Sequence, residues 1–175
     1  MNTRNETIAY QLSYYGSEVL RRVADEVTEI DQEVADLVEN MFHVMKRERG
    51  IGLAAPQVGI SRKIIAVDLE VYRGTVFSLI NPEIIGDSGD ETLFEEGCLS
   101  VPGIMHDVVR PGEISVKGIT LEGKEVQIDA SGLMARVLQH EIDHLNGILF
   151  IDRLEDYVRK ELTPELKKIK KLNKR

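Results

Sequence analysis

Cysteine is almost missing from this chain: Cys98 is the only one in 175 residues, which excludes an intrachain disulfide and fits a reducing compartment, with an intermolecular bridge left open. Long apolar runs are missing too. No segment approaches the roughly 18 uninterrupted apolar residues of a membrane span, and the N-terminal MNTRNETIAYQLSYYG lacks the apolar core of a secretion signal. A soluble, cytoplasmic protein without a membrane partner is the expectation. Positive charge is short, with 22 basic against 30 acidic side chains and a net charge of -8, which argues against DNA or other nucleic acid as an all-over ligand. Internal repeats, heptad runs and long linkers are likewise lacking. What remains is 42% hydrophobic and 30% charged residues. That balance fits one globular domain over residues 1–175, and a domain this size buries roughly two-thirds of its unfolded surface without help from disulfides.

The charge is unevenly spread. From Arg159 to Arg175 eight basic residues face two acidic ones, so this segment carries +6 and the rest of the chain -14. A basic helical tail over about 160–175 reads either as a solvated helix or as an electrostatic dock for an anionic partner.

Val34, Leu37, Val38, Met41, Phe42 and Met45 recur at three- and four-residue spacing and predict a helix from Asp31 to Arg49, capped by Asp31 and ended by Gly50. KIIAVDL from Lys63 and TVFSLI from Thr75 predict strands. EISVKGI from Glu113 and KEVQI from Lys124 predict a hairpin turning at Leu121-Glu122-Gly123. Asn81-Pro82 and Gly86 to Asp90 read as loops. A second helix follows Ser131, with Leu133, Met134, Val137, Leu138, Ile142 and Leu145 at helical spacing and Gly147 at its end. Thr163-Pro164-Glu165 opens another, striped by Leu166, Ile169 and Leu172. Helices and short strands without regular alternation predict an α+β fold: a single compact domain with short mixed or antiparallel strands around a central helix, plus a C-terminal helix.

That central helix carries QHEIDH. His140 and His144 lie four residues apart, so both imidazoles project from one helical face, about 6 Å apart along the axis. One metal ion can accept both, and Glu141 stands where a carboxylate handles the proton of an activated water. A catalytic metal takes a third protein ligand and keeps one position open. The candidates are Cys98, Asp143, His106 and the Glu95-Glu96 pair. Cys98 fits best, in EEGCLSVPG, because a thiolate is a charge-donating ligand and the segment is turn-like. An inert buried cysteine and a nucleophilic one paired with histidine remain alternatives. GIGLAAPQVG, from Gly50 to Gly59, offers small residues for close backbone approach and the amide of Gln57. It reads as a tight turn or as a substrate-lining strand, and lacks the Gly-Lys-Ser/Thr of a phosphate loop.

Together GIGLAAPQ (Gly50 to Gln57), EEGCLS (Glu95 to Ser100) and QHEIDHLNG (Gln139 to Gly147) resemble the three motifs of the peptide deformylase family in order and approximate spacing. YGSEVLRRVADEV, from Tyr15 to Val27, resembles its N-terminal segment. The resemblance implies a compact α+β domain with its motifs converging on one metal, usually Fe²⁺, with Zn²⁺, Ni²⁺ or Co²⁺ as other occupants. It makes Cys98, His140 and His144 the ligands and Glu141 the general base and acid. Gln57 and the backbone N–H of Leu99 become the oxyanion site, Gly52 lines the path of the substrate backbone, and Ile51, Phe94, Leu133 and Val137 wall a methionine pocket. The implied reaction removes the N-formyl group from the initiator methionine of nascent polypeptides, releasing formate. The ribosome, with its anionic RNA-rich surface, becomes a partner for the basic tail. One position departs: Met105 stands where some relatives carry arginine, while Arg110 matches a later family arginine.

Overall fold

The computed structural model describes residues 10–174, so most of the N-terminal segment read above for a secretion signal, and the last residue of the basic tail, lie outside the described residues. Helix α1 (Gln32–Arg47) begins as expected. The Asp31 carboxylate accepts the Val34 N–H at 3.0 Å, and Lys46 and Arg47 occupy the last turn, where the helix dipole favours positive charge. It stops two residues earlier than expected. Arg49, not Gly50, takes the left-handed conformation (φ 59°), and the Gly50 N–H closes on the Met45 carbonyl at 2.8 Å.

Strands β1 (Gly52–Ala54), β2 (Ile64–Asp68), β3 (Val76–Asp87), β4 (Glu91–Cys98), β5 (Val101–Pro111), β6 (Glu113–Ile119) and β7 (Glu125–Ser131) follow. Five of them form an antiparallel sheet in the order β1-β2-β3-β6-β7, while β4 and β5 form a separate hairpin. The expected hairpin forms between β6 and β7, with Val116 opposite Ile128.

Two loop expectations are corrected. Asn81-Pro82 lies inside β3, at a register break between Ile80 and Glu83, and Gly86-Asp87 is still strand. Proline has no N–H to give a sheet, so the strand bulges there instead of ending. Asn81 adopts φ 50°, and its side-chain amide both accepts from the Val27 N–H and donates to the Val27 carbonyl, each at 2.9 Å, fastening the N-terminal segment to the sheet. The β4–β5 hairpin, for its part, occupies a stretch with no expected strand.

The sheet is covered on both faces, which explains why KIIAVDL is continuously apolar. Ile64 and Ala66 pack with Val34, Met41 and Met45 of α1, whereas Ile65 and Val67 pack with Leu138, Ile142 and Leu145 of helix α2 (Gly132–Leu145). Each fully buried Leu or Ile side chain is worth roughly 1.5–3 kcal/mol relative to exposure. A third cluster joins Leu20, Val101, Ile104, Val108 and Phe150 to helices α3 (Asp156–Glu161) and α4 (Thr163–Lys170). Leu166 and Ile169 are buried there as the stripe predicted, with Leu172 half-buried beside them and Lys167, Lys168 and Lys171 exposed. Helix α3 was not anticipated. The arrangement is an α+β domain around α2.

Candidate metal centre

Helix α2 is amphipathic in an unusual sense, because its second face is buried as well. Gln139, His140, Glu141, Asp143 and His144 are all buried polar residues. Such groups are costly to bury unless each finds a partner, so the sequence must supply those partners elsewhere. The β4–β5 hairpin does so. Its tip is the Leu99–Ser100 turn between Cys98 and Val101, and a register break at Gly97 and Cys98 re-aims the cysteine.

The result is convergence of three ligand types. One ligand atom each from Cys98, His140 and His144 lies within 4.8 Å of the others. Cys98 Sγ is 3.3 Å from His144 Nε2. Metal–nitrogen bonds near 2.0–2.1 Å and a metal–sulfur bond near 2.3 Å put tetrahedral ligand atoms roughly 3.3–3.7 Å apart, so the set fits a metal ion with one position left over. The two imidazoles differ in charge. Burial works against a protonated His140, but its hydrogen bonds to Cys98 and Glu96 outweigh burial and hold the pKa well above the usual histidine value, so a metal bound by this ring would displace a proton. His144 is held neutral by burial and by the neighbouring His140, which is the ligating form. Among the described residues, Glu141 Oε2 and His144 Nδ1 are the buried side-chain atoms without a hydrogen-bond partner.

The other candidate ligands take different roles. Glu96 Oε2 accepts from His140 Nδ1 at 2.9 Å, leaving the opposite ring nitrogen for a metal, and both its oxygens accept from Arg110, at 2.6 and 2.9 Å. Arg136 adds a bond at 3.0 Å. Burial alone would raise the Glu96 pKa, but the hydrogen bonds from His140 and Arg110 hold it well below the usual carboxylate range. Asp143 accepts from Arg110 at 2.7 Å and from both ends of the Arg153 fork. His106 lies outside the cluster, bonded to the Asp107 carbonyl. Glu95 is exposed. Sequence reading singled out Glu96 and Asp143 only as spare ligands and gave Arg136 and Arg153 no role. The available signal was Arg136 inside an otherwise apolar stretch of α2, where an unpaired charge could not be buried.

The Gly50 to Gly59 segment supplies the wall facing α2, as both a short strand and a turn. A Cβ at Gly52 would stand 2.5 Å from Glu141 Oε1 and 2.8 Å from Val137 Cγ1, so only glycine fits. Burial pushes the Glu141 carboxyl up to about 7. Gln57 is buried, its Oε1 accepting from the Ala54 N–H at 2.9 Å. That bond turns its NH₂ toward Ser100 Oγ at 3.2 Å and Cys98 Sγ at 3.6 Å. Ile51, Gly52, Gln57, Phe94, Cys98, Leu99, Leu133, Val137, His140 and Glu141 all line one cavity of about 1070 Å³, whereas the buried His144 does not line it.

Comparison with known proteins places this arrangement. The chain matches the sequence profile of the polypeptide deformylase family over residues 9–160. The peptide deformylase of Halothermothrix orenii is 51% identical over 144 residues, covering 82% of this chain and 92% of that protein. That of Brachyspira hyodysenteriae is 44% identical over 165 residues, covering 91% and 88%. Among solved structures, the Thermus thermophilus peptide deformylase superposes with a TM-score of 0.87 at 38% identity, covering 94% of this chain and 99% of that one. No helix among the described residues is long and apolar enough to cross a membrane. With the profile matched over most of its length and relatives near half identical across more than four-fifths of it, this chain belongs to the peptide deformylase family.

Proposed function

We propose that this chain hydrolyses the formamide at the N-terminus of nascent polypeptides in the cytoplasm, with Cys98, His140 and His144 holding one Fe²⁺ per chain. The observation that carries the reading is the meeting of a thiol and two imidazoles on one side of a cavity that also contains a buried carboxyl, Glu141. A divalent metal in that ligand set supplies Lewis-acid activation of water and of the formyl oxygen. Glu141 takes the proton of the attacking water and passes it to the departing nitrogen, so one carboxyl serves both transfers. Gln57 NH₂ and the Leu99 backbone N–H donate to the oxygen on which negative charge grows, and donors held in place beforehand lower the reorganisation cost of that step. Support for Gln57 in this role comes from the Ala54 bond that fixes its amide. Ile51, Phe94, Leu133 and Val137 enclose the methionine side chain while the Gly52 backbone runs beside it. Such a pocket discriminates by roughly 1–3 kcal/mol per methylene and admits related side chains.

Glu141→Gln is expected to retain metal and fold while formate release from formyl-Met-Ala falls by about 10²–10⁴-fold. Paired metal analysis and a formate assay check this. Loss of metal along with activity would make Glu141 structural.

Glu96 acts through His140 by fixing which ring nitrogen faces the metal. Glu96→Gln is expected to weaken metal retention or turnover by about 10–100-fold, read by chelator competition.

Thiolate ligation of Fe²⁺ exposes both iron and sulfur to oxidation. Iron-loaded protein prepared anaerobically is expected to lose formate release in air within an assay session, whereas zinc- or nickel-loaded protein keeps what it has. Equal survival in air would count against iron.

The outward lysines of α4, with Leu166 and Ile169 facing the core, support the ribosome as partner of the tail. Cosedimentation with ribosomes should fall steeply as salt rises, and charge reversal at Lys167, Lys168 and Lys171 should abolish it. Binding indifferent to both would refute the contact.

A further inference from the structure

The cavity is larger than a formyl-methionyl end requires. Its roughly 1070 Å³ lies at the top of the range of about 300–1,000 Å³ that encloses a drug-sized ligand. Beyond the walls assigned to methionine, its lining includes residues from both extremities of the described chain: Leu12 and Tyr14, which precede the first helix, and Leu172, which follows α4. Leu99 and Met105 line the same space.

These outlying residues are firmly held. Asn173 clamps the two ends together: its Oδ1 accepts from the Tyr14 N–H at 2.9 Å, and its Nδ2 donates to the Tyr14 and Tyr15 carbonyls at 3.0 and 3.1 Å. The clamped segment is in turn hung on the catalytic side of the cavity. The Ser13 N–H donates to the Gln57 carbonyl and the Tyr15 N–H to the Ser100 carbonyl, both at 2.8 Å. Leu12, Tyr14 and Leu172 are each half-buried, Leu12 packing on the α1 cluster and the other two on the C-terminal cluster. Each therefore packs against the core and still reaches the cavity. Glu48 and Arg49 line it too, with opposite signs, so their charges give no common preference.

We propose that Leu172, with Leu12 and Tyr14, forms an apolar subsite for a side chain of the substrate downstream of the formyl-methionine, which makes the C-terminal segment a specificity-determining part of the cavity. The inference rests on the deformylase reading and extends it along the peptide. Its occupant is the continuing substrate chain, because the subsite is one space with the metal-side cavity and an extended peptide advances about 3.3 Å per residue. Met105 lines the same cavity and adds a flexible, uncharged thioether to it.

The test walks a single leucine, in place of serine, through positions three to six of formyl-Met peptides built otherwise of alanine and serine, with formyl-Met-Ala as the short reference. In the wild-type protein, leucine at one or two of those positions is expected to raise kcat/KM about 5–20-fold over serine, mostly through KM. In Leu172→Ser and, from the other chain end, in Leu12→Ser, that leucine-to-serine ratio is expected to shrink to within about twofold. No preference at any position, a preference untouched by both substitutions, or an equal loss across every peptide would overturn the subsite. Failure of the wild-type protein to release formate from formyl-Met-Ala would overturn the deformylase reading and this inference with it.

Discussion

One carboxylate joins the two halves of the site. Glu96, at the end of one hairpin strand, is held by Arg110 from the opposite strand and by Arg136 and His140 from α2. Three buried charged or chargeable groups are thus satisfied around a single side chain. Buried ion pairs are poor sources of net stability because desolvation offsets their attraction, and removing one partner leaves the others uncompensated. What this network contributes is position. It fixes the angle of the His140 ring and sets the hairpin tip, and therefore Cys98, at a distance at which sulfur and imidazole could share one ion.

Everything else in the fold supports that junction. The antiparallel sheet gives α2 a flat apolar bed, and α1 closes the far face. Gly52 brings the first strand against the Glu141 carboxyl where a side chain would collide. The C-terminal helices back the hairpin through Val101, Ile104 and Val108. No strand presents the site as a regular sheet surface. It forms where a helix, a hairpin turn and a short strand approach each other from different directions.

That geometry explains what could be read in the sequence. Periodicity is a local signal, so α1, α2, the β6–β7 pair and the Leu166–Ile169 stripe were legible, as was the four-residue histidine spacing. The β4–β5 hairpin was not, because its alternation is disguised: Leu93 and Phe94 stay half or more exposed while Glu96 turns inward to meet Arg110. A strand that buries charge looks like a loop when only apolar residues are counted. Asn81-Pro82 misled for the opposite reason, since a bulge and a loop draw on the same turn-forming residues. The candidate metal ligands were named from motif resemblance and spacing, whereas the partners of Glu96 and Asp143 depend on tertiary contacts that no short window contains.

Three separately packed apolar clusters meet at the centre, each touching it through its own residue: Ile51 from the α2 side, Leu99 from the α1 side and Cys98 from the C-terminal side. A cation held by Cys98, His140 and His144 would therefore cross-link α2 to the hairpin. Its binding free energy would be shared by the α2 and C-terminal clusters at once, and fraying at the carboxyl terminus would register as a faster off-rate of the ion.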